Sequence, residues 1–393
     1  MSDKAKDQES VVIVGGGLAG ANVAESLRER GFDGPVTIIG AEDHLPYERP
    51  PLSKDVLLGK KSTDDATVHD TDWWKEHAVD VRTGERAVSI DRDRKVVVTD
   101  KGELPYGTLV LATGSEPRRL EVADDSGAPV HYLRTVEDSN SLKDALTEGA
   151  KVVIIGGGWI GLEVASAARN AGADVTVFEA ADLPLVNVLG PEVAQRFADL
   201  HRDQGVDLRL GSQVTTADLE GADCVVVGVG PTPRTELAEA AGLDVATEAP
   251  GGVLVDDQLR TSDPDILAVG DIALEEHPSL GRRVRVEHWD NAIEQGKAAA
   301  GTITGDDTAY DRQPYFFTDQ YDLGMEYFGN VGPDGYDSVE TTGDFDGPFR
   351  AWWVKDGTVV AAMQANDWDA SDEMRDSIGK PPPGVKPTSG QSS

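Results

Sequence analysis

The sequence predicts an α/β protein with more than one domain. Two stretches share one plan, in which an apolar run is followed by clustered glycines and then by a helical pattern: VVIVGGGLAGANVAESLRERG at 11–31 and KVVIIGGGWIGLEVASAARNAG at 151–172. Apolar strands that alternate with helical segments are typical of parallel sheets covered by helices. A chain of 393 residues is also too long for one ordinary hydrophobic core, so we expect two or three domains.

The first of these stretches has the G-x-G-x-x-G spacing of a dinucleotide-binding turn, with Gly15, Gly17 and Gly20. The first glycine permits a tight strand-to-helix turn, the second lets backbone amides approach a pyrophosphate, and the third allows the helix to pack closely on the strand. The phosphates then lie at the helix N-terminus, where free N–H groups and the helix dipole favour negative charge. The next strand, VTII, is followed by Glu42, a carboxylate that can accept hydrogen bonds from an adenosine ribose.

The second stretch repeats this arrangement with Gly156, Gly158 and Gly161, and Glu179 follows the strand DVTVF. Because both motifs lie between a strand and a helix and both are followed by an acid, the sequence predicts two Rossmann-like dinucleotide-binding domains. A carboxylate at Glu179 accepts from a free 2′-hydroxyl and repels a 2′-phosphate. The segment AADLPLVNVLGPEVAQ that follows it contains no lysine or arginine, so NADH is favoured over NADPH.

Three further apolar strands fit the same plan. TLVLATGSEPR ends in Ala112-Thr113-Gly114, CVVVGVGPTPRTEL passes through Gly228 and Gly230, and DILAVGDIA contains Asp271 after a glycine. An acid at the end of such a strand can bind ribityl or ribose hydroxyls. It can equally be an ordinary turn aspartate, and the residues alone leave both interpretations open.

The C-terminal part of the chain has a different pattern. PFRAWWV-KDG-TVVAAMQA at 348–365 predicts two strands around a tight Asp356-Gly357 turn. The segment PPPGVKPTSGQSS at 381–393 is rich in proline and serine and predicts a disordered tail. We therefore expect a third, C-terminal α+β domain.

Composition excludes several classes of function. Acidic residues outnumber basic ones by 71 to 36, and the formal net charge of −35 disfavours nucleic acids and anionic membranes as partners. Cys224 is the only cysteine, so one chain offers no disulfide, cysteine-bound zinc or dithiol redox pair. The first apolar run, Val11–Val14, is too short for a signal peptide or a membrane span, which predicts a cytoplasmic protein.

The order of the motifs matches a known family. GGGLAG, PYERPPLSK, LATGSEPR, YLRT, GGGWIGLE, SDPDILAVGD, EHWDNA and PYFFTDQYDL follow one another between residues 15 and 323. The sequence resembles the FAD-dependent pyridine nucleotide-disulfide oxidoreductases of the ferredoxin, rubredoxin and putidaredoxin reductase type, which are close to bacterial relatives of apoptosis-inducing factor and monodehydroascorbate reductase. This resemblance implies a glutathione-reductase-like fold, with FAD and NADH as cofactors and no metal site.

The resemblance also implies a domain arrangement and a set of cofactor-binding positions. An FAD-binding domain would be formed by 1–118 and 246–312, an NAD-binding domain by 119–245, and an interface domain by 313–380. The implied cofactor-binding residues are Gly15, Gly17, Leu18, Ala19, Gly20, Glu42, Arg49, Lys54, Ala87, Ala112, Thr113, Gly114, Arg134, Gly156, Gly158, Trp159, Ile160, Gly161, Glu179, Gly230, Asp271, Glu287, His288, Trp289 and Phe317.

Some of these positions have specific implied roles. Lys54 and Glu163 would form the catalytic pair, in which Glu163 holds the ammonium group of Lys54 beside the flavin. Arg49 would lie near the FAD adenosine diphosphate, and Ala87 would touch the adenine through its main chain. Phe317 would lie against the isoalloxazine ring, where many relatives have tryptophan.

Other positions have a second interpretation. His288 and Trp289 would lie at the flavin's dimethylbenzene and pyrimidine side, but buried aromatic rings are also ordinary core residues. Arg134 would bind FAD, or it would form a surface ion pair. Trp159 stands where tyrosine or phenylalanine is commoner, at a position that could gate the nicotinamide.

The position of the cysteine limits the reaction. Disulfide reductases of this superfamily need a cysteine pair beside the flavin, and the peroxidases and oxidases need a single cysteine near position 50, whereas Cys224 lies in an apolar strand. The sequence therefore predicts one-electron delivery to an external acceptor, with a ferredoxin-type iron–sulfur protein as the leading hypothesis. Two alternatives stay open: a small acceptor such as a quinone or monodehydroascorbate, and a redox-responsive binding protein.

The acidic surface bears on that partner, because ferredoxins are themselves usually acidic. A local docking patch could be formed by Arg282, Arg283 and Arg285, or by Lys60 and Lys61. The arginines could equally be the solvated edge of a hairpin. A monomer and a homodimer are both compatible with the sequence.

Overall fold

The computed structural model describes residues 10–384. Within this range the strands are, in order, β1 (Val11–Val14), β2 (Val36–Ile39), β3 (Val79–Arg82), β4 (Ala87–Asp91), β5 (Val96–Thr99), β6 (Glu103–Pro105), β7 (Thr108–Leu111), β8 (Ser115–Pro117), β9 (Val130–His131), β10 (Lys151–Ile155), β11 (Asp174–Phe178), β12 (Asp207–Arg209), β13 (Cys224–Val227), β14 (Pro231–Pro233), β15 (Val245–Ala246), β16 (Gly252–Val255), β17 (Ile266–Ala268), β18 (Ala273–His277), β19 (Arg282–Val284), β20 (Tyr315–Gln320), β21 (Leu323–Gly329), β22 (Ser338–Gly343), β23 (Phe349–Lys355) and β24 (Thr358–Ala365).

The α-helices in the same range are α1 (Leu18–Glu29), α2 (Thr71–Glu76), α3 (Glu121–Asp124), α4 (Val136–Ala145), α5 (Trp159–Asn170), α6 (Val186–Asp203), α7 (Glu236–Ala240), α8 (Trp289–Ile303) and α9 (Ser371–Ser377). Two short 3-10 turns, Pro50–Ser53 and Gly270–Ile272, carry candidate site residues. The predicted tail lies for the most part outside the described residues.

The chain divides into two compact units. The first contains the segments up to Arg49, Thr63–Glu116 and Pro231–Arg312. The second contains Pro50–Ser62, Pro117–Gly230 and the segment from Gln313 onward. Each unit has a parallel sheet of its own, as the two glycine-rich stretches predict.

The sheet of the first unit has the strand order β17-β7-β1-β2-β3, and all of its neighbouring strands are parallel. The residues of β1 are buried on both faces, as expected for a parallel sheet covered by helices on each side. Helices α1 and α8 pack so closely that a Cβ atom at Gly296 would lie 2.7 Å from Asn22 Cβ. A three-stranded sheet β4-β5-β6 and a four-stranded sheet β15-β16-β18-β19 also belong to this unit.

The parallel sheet of the second unit has the order β12-β11-β10-β13-β9. Its central strand β10 pairs with β11 and β13, so that β10, α5 and β11 form the βαβ unit that the sequence predicts. The same unit contains an antiparallel sheet of order β20-β21-β24-β23-β22.

The C-terminal hairpin is confirmed. Strands β23 and β24 pair in an antiparallel register around Asp356 and Gly357, whose φ angles are 48° and 72°. Two consecutive left-handed residues are typical of the type I′ turn, which matches the twist of the flanking strands. The α/β fold class with an added antiparallel sheet is thus the observed one.

No helix in residues 10–384 is long and apolar enough to span a membrane.

Candidate functional site

The first glycine-rich turn is built by close contacts of its first and third glycines. Gly15 has φ of +128°, and a Cβ atom there would lie 2.0 Å from the carbonyl oxygen of Ala112. A Cβ atom at Gly20 would lie 2.3 Å from the carbonyl oxygen of Gly15. By contrast, a Cβ atom at Gly17 would meet no protein atom within 4 Å. The N-terminus of α1 is therefore open at Gly17, where a pyrophosphate group is expected to approach the backbone.

Glu42 belongs to a compact group of polar side chains in the same unit. Arg49 Nη2 donates to Glu42 Oε1 at 2.8 Å, and the Tyr47 hydroxyl donates to Glu42 Oε2. Arg49 Nη1 also donates to the Tyr47 oxygen at 3.0 Å. Burial alone would lower the pKa of Arg49, but electrostatic interactions with Tyr47, Glu42 and Asp271 and the hydrogen bond to Glu42 outweigh it and raise that pKa. Arg49 thus remains a cation beside the carboxylate predicted to bind ribose.

Asp271 lies in the 3-10 turn after β17 and is held from several sides. The buried Ser115 donates its hydroxyl to Asp271 Oδ2 at 2.7 Å. Arg285 Nη1 donates to the main-chain oxygen of Asp271 at 3.0 Å, and the charge of Asp271 helps to raise the pKa of Arg49. These contacts fix the backbone and one carboxylate oxygen of Asp271, and its predicted contact with FAD stays a proposal.

Gly270, the residue before Asp271, is held by two consecutive buried hydrogen bonds. The Gly270 amide donates to Gln295 Oε1 at 2.7 Å, and Gln295 Nε2 donates to Glu275 Oε2 at 2.7 Å. Burial raises the pKa of Glu275 to about 7, an effect opposed by the Gln295 hydrogen bond and reinforced by the charge of Asp311. Helix α8 and strand β18 therefore position the Gly270–Ile272 turn through one amide side chain.

The remaining predicted positions of the first unit lie at the edges of its elements. Leu18 and Ala19 form the first turn of α1, and Ala87 begins β4. Ala112, Thr113 and Gly114 follow β7, and the Thr113 hydroxyl donates to the main-chain oxygen of Arg234 at 2.8 Å.

The EHWDNA stretch begins helix α8. His288 is its N-cap residue and accepts a hydrogen bond from the Asp290 amide, while Trp289 is the first helical residue. Both side chains are half-buried, and Glu287 accepts from the guanidinium of Arg285. Neither ring is a fully buried core residue, which leaves the predicted flavin contacts open as a proposal.

The second glycine-rich turn reproduces the geometry of the first. Cβ atoms at Gly156 and Gly161 would lie 2.4 Å from the Gly228 oxygen and 2.0 Å from the Gly156 oxygen. At Gly158 the nearest atom to a Cβ would be 3.8 Å away, again the Gly228 oxygen. The N-terminus of α5 is thus open at the glycine that corresponds to Gly17 of α1. The residues of both turns therefore fit a bound dinucleotide.

Glu179 lies at the end of β11, and its carboxylate faces the second turn. Glu179 Oε2 accepts from the Gly157 amide at 2.6 Å, and Oε1 accepts from the Ala181 amide at 2.7 Å. Strand β12 brings Arg209 beside it, since the Glu179 amide donates to the main-chain oxygen of Arg209. The Arg209 side chain, however, bonds to Asp207 Oδ2 at 3.0 Å. The preference for NADH over NADPH stays a prediction.

Trp159 and Ile160 open helix α5. The Trp159 ring packs against Phe316 and Phe197, with centroid separations of 4.7 and 5.8 Å. Ile160 is 44% exposed, which is unusual for a large apolar side chain in this chain. Gly230, after β13, has φ of +93°, and a Cβ atom there would meet no protein atom within 4 Å.

Lys54 and Glu163 meet, although 109 residues separate them in sequence. Lys54 Nζ donates to Glu163 Oε1 at 2.7 Å, and the Ser53 hydroxyl donates to Glu163 Oε2 at 2.5 Å. Thr318 Oγ1 donates to Glu163 Oε1 at 2.6 Å. Lys54 Nζ also lies 5.4 Å from the centroid of the Phe317 ring, a cation–π distance. Every residue of this cluster belongs to the second unit.

Arg134 lies just before helix α4. Its main-chain amide donates to Asp138 Oδ2 at 3.0 Å, and Thr135 and Asp138 form the capping box of that helix. The main chain of Arg134 is thereby fixed by the capping carboxylate. Its predicted contact with FAD remains a proposal.

Cys224 is completely buried in β13, and burial raises the pKa of its thiol to about 12. The thiolate form is the reactive one, so this cysteine is an inert core residue at neutral pH.

Two of the arginines considered for a docking patch are bound to the main chain. Arg283 donates to the oxygens of Val255 and Leu274 at 2.8 and 3.1 Å. Arg285 donates to the oxygens of Pro250 and Asp271, both at 3.0 Å, and only 8% of its side chain is exposed. These contacts support a structural role for both guanidinium groups.

Residues 9–296 match the family model described as pyridine nucleotide-disulphide oxidoreductase. The chain belongs to this family. Enzymes of the pyridine nucleotide-disulphide oxidoreductase family use FAD and NAD(H), and the predicted family and cofactors are confirmed.

Several curated members of the family are similar over most of this chain. The ferredoxin–NAD(+) reductase component of the anthranilate 1,2-dioxygenase system of Burkholderia cepacia is 41% identical, with 90% of each chain covered. Rhodocoxin reductase of Rhodococcus erythropolis is 38% identical over 81% of this chain and 78% of its own. Putidaredoxin reductase of Pseudomonas putida is 35% identical over 91% of this chain and 89% of its own.

Solved structures agree with this assignment. Putidaredoxin reductase in its covalent complex with putidaredoxin has a TM-score of 0.87 at 35% identity, with 94% of both chains covered. A ferredoxin reductase from Rhodopseudomonas palustris has a TM-score of 0.85 at 36% identity, with 91% of both chains covered.

Sequence reasoning missed several residues that the structure brings to the candidate sites. They are Tyr47, Ser53, Ser115, Arg285, Gln295 and Thr318. Ser53 and Thr318 stand next to the predicted Lys54 and Phe317, which was the available signal. Tyr47 also had a local signal, since it lies in the PYERPPLSK motif, two residues from Arg49 and five from Glu42. Ser115, Arg285 and Gln295 carry none, because the partners named here are 14 or more residues away.

Proposed function

We propose that this protein is an NADH-dependent flavoprotein reductase that passes electrons to a ferredoxin-type iron–sulfur protein. The observation that carries the proposal is the hydrogen-bonded pair of part-buried Lys54 and buried Glu163, in a chain that has two open dinucleotide turns and no cysteine beside that pair. Relatives whose names include ferredoxin reductase and putidaredoxin reductase support the same acceptor class.

FAD accepts two electrons as a hydride from NADH and can release them singly, which is the chemistry it supplies when bound. The protein's residues would bind and orient the two cofactors. Gly17 and the N-terminus of α1 would hold the FAD pyrophosphate, while Glu42 and Asp271 would accept hydrogen bonds from ribose and ribityl hydroxyls. In the second turn, Gly158 would hold the pyrophosphate of NADH, and Glu179 would accept hydrogen bonds from its ribose hydroxyls.

Lys54 would stabilise negative charge on the flavin ring through its ammonium group. Glu163, only 3% exposed, receives hydrogen bonds from Lys54, Ser53 and Thr318. A carboxylate is well satisfied by three donors, and one of these is the part-buried ammonium group of Lys54. The pair can therefore hold a positive charge in a fixed place without a mobile counter-ion.

The test is the reduction of cytochrome c by the purified protein, NADH and a series of [2Fe–2S] ferredoxins. We expect rates well above the ferredoxin-free rate with at least one ferredoxin. Uniform failure across the series would overturn the proposal. Higher rates with a quinone or with the monodehydroascorbate radical would instead assign a small acceptor.

A different class of function is tested by sedimentation. If NADH changed the oligomeric state and produced a long-lived complex that no acceptor protein reoxidised, the chain would be a redox-responsive binding protein. A cytoplasmic location, the division into FAD, NAD and interface domains, and the choice between monomer and homodimer stay predictions.

A further inference from the structure

A continuous chain of hydrogen bonds leads through the second unit to Glu163. The Tyr321 hydroxyl lies 3.3 Å from His201 Nδ1, and His201 Nε2 lies 2.9 Å from Gln320 Oε1. Gln320 Nε2 donates to Thr318 Oγ1 at 3.2 Å, and Thr318 Oγ1 donates to Glu163 Oε1 at 2.6 Å. These hydrogen bonds connect helix α6 and strand β20 to the Glu163 carboxylate, which binds Lys54.

The donors in this chain of hydrogen bonds all point the same way. A carboxylate has no proton to donate, so the single proton of the Thr318 hydroxyl must point to Glu163. The Thr318 oxygen then accepts from the Gln320 amide nitrogen, which turns the amide oxygen of Gln320 toward His201. His201 must therefore carry its proton on Nε2 and accept from Tyr321 at Nδ1. Every donor in the chain points toward Glu163.

Burial keeps this direction stable. Thr318, Gln320 and His201 are all at 0% exposure, so water cannot replace a broken link. Burial lowers the pKa of His201 to about 4, although its hydrogen bond to Gln320 opposes the effect. His201 is thus neutral at physiological pH, with one donor nitrogen and one acceptor nitrogen, as the chain requires.

We propose that Thr318, Gln320 and His201 are positioning residues that hold the Glu163 carboxylate in place and so fix the ammonium group of Lys54. This inference rests on the role that the proposed function gives to Lys54. Without the Thr318 hydroxyl, Glu163 Oε1 would lose one of its two donors in a place that water does not reach. The carboxylate would then be held less firmly, and Lys54 would lose its fixed partner.

The first test measures flavin reduction by NADH in rapid-mixing experiments on the FAD-loaded protein. Thr318→Val removes the hydroxyl at nearly constant volume and should slow flavin reduction roughly tenfold, the effect of one lost buried hydrogen bond to a charged group. The concentration of NADH at half-saturation should not change. Thr318→Ser keeps the hydroxyl and should restore the rate.

Thr302→Val is the matched control. Thr302 is also buried, and its hydroxyl donates to the main-chain oxygen of Gln258 at 3.0 Å, away from the chain of hydrogen bonds. It should lower stability without slowing flavin reduction. Equal rates for the parent protein and Thr318→Val would overturn the inference, whereas a parent protein whose flavin NADH cannot reduce would overturn the proposed function instead.

A double-mutant cycle tests the route of action. If Thr318 acts through Glu163, Thr318→Val should have little further effect on the rate in a protein that already carries Glu163→Gln. Independent, additive effects of the two substitutions would show that Thr318 acts by another path, and the inference would fail.

The direction of the chain can be tested without turnover, by ¹⁵N NMR of the histidine rings in the full-length protein. His201, assigned through a His201→Asn variant, should be the neutral Nε2–H tautomer between pH 5 and 8, since its pKa is lowered to about 4. Gln320→Glu should raise the pKa of His201, because a carboxylate would then accept its proton. An Nδ1–H tautomer in the parent protein would overturn the inference.

Discussion

At the scale of single residues, the glycines of each nucleotide turn meet two separate needs. Gly15 and Gly156 have left-handed φ angles of +128° and +106° and abut carbonyl oxygens, so the fold itself requires them. Gly17 and Gly158 have ordinary extended backbones and open surroundings. The need for glycine at these two positions comes from the ligand.

This difference predicts that one alanine substitution lowers stability and the other weakens FAD binding. Gly15→Ala should destabilise the protein by several kcal/mol, because its Cβ would lie 2.0 Å from the Ala112 oxygen in a strained conformation. Gly17→Ala should cost at most about 1 kcal/mol of stability but weaken FAD binding. Urea unfolding and flavin fluorescence titration measure the two effects. A Gly17→Ala protein that binds FAD as tightly as the parent would remove the turn from the binding site.

Glu179 carries the prediction for nicotinamide preference. Glu179→Ala removes the carboxylate and leaves the Gly157 and Ala181 amides free to meet a 2′-phosphate. The ratio of kcat/KM for NADPH to that for NADH should rise about tenfold, equivalent to roughly 1.4 kcal/mol of removed repulsion. Asp182→Asn, at an exposed acid nearby, is the control and should leave the ratio unchanged. An unaltered ratio in Glu179→Ala would place the source of preference elsewhere.

At the scale of elements, strand β18 and helix α8 are joined by a buried carboxyl group. Glu275 is 2% exposed, and burial raises its pKa to about 7 from an ordinary value of 4.5. The groups that face it are Gln295 on α8 and, on the segment before β20, Asp311 and Tyr310. None of these three side chains is a cation that could neutralise the carboxylate.

The raised pKa predicts how stability depends on pH. A carboxyl group that binds its proton more tightly when folded stabilises the protein below about pH 4.5, and this contribution is lost as the pH rises through about 7. The parent should therefore lose about 3 kcal/mol relative to Glu275→Gln between these limits. Urea unfolding of both proteins across the range measures the difference.

The neighbouring residue provides the control for this prediction. Glu276 is on the same strand but its side chain is 67% exposed, beside Arg283. Glu276→Gln should follow the parent curve at every pH. A Glu275→Gln protein whose stability ran parallel to that of the parent would show that Glu275 titrates at its ordinary pKa.

At the scale of the whole molecule, the net charge of −35 dominates long-range electrostatics. Ion pairs such as Arg94–Glu103 and Arg119–Asp124 lie at the surface, where each contributes little. The excess negative charge repels itself in the compact state, and salt screens that repulsion.

Added salt should therefore stabilise the protein. The thermal unfolding midpoint should rise between roughly 0.05 and 1 M chloride salt, over which the Debye length falls from more than 10 Å to about 3 Å. Sodium and potassium chloride should act alike if screening is the cause, which differential scanning calorimetry can show. A midpoint that fell with salt would mean that surface ion pairs outweigh the repulsion.

The fold and the nucleotide turns were predictable because their signals are local. Glycine spacing after an apolar strand, an acid at the next strand end, and an Asp-Gly turn between two apolar runs each depend on residues close together in sequence. The conformations of Gly15 and Gly156, the ends of β1 and β10, and the hairpin at Asp356 all follow from such patterns. The lack of a second cysteine likewise limits the chemistry through composition alone.

What packs around the predicted residues was decided by the tertiary structure. Thr318 reaches Glu163 across 155 residues of sequence, and His201 reaches Gln320 across 119. A threonine, a glutamine or a histidine in an apolar segment has no periodicity that names its partner, because that partner is set by how sheets and helices pack. The sequence alone determined two dinucleotide turns and a lysine–glutamate pair, through glycine conformation and family resemblance. Only the packing of α6 and β20 against α5 decided which buried donors hold that glutamate in place.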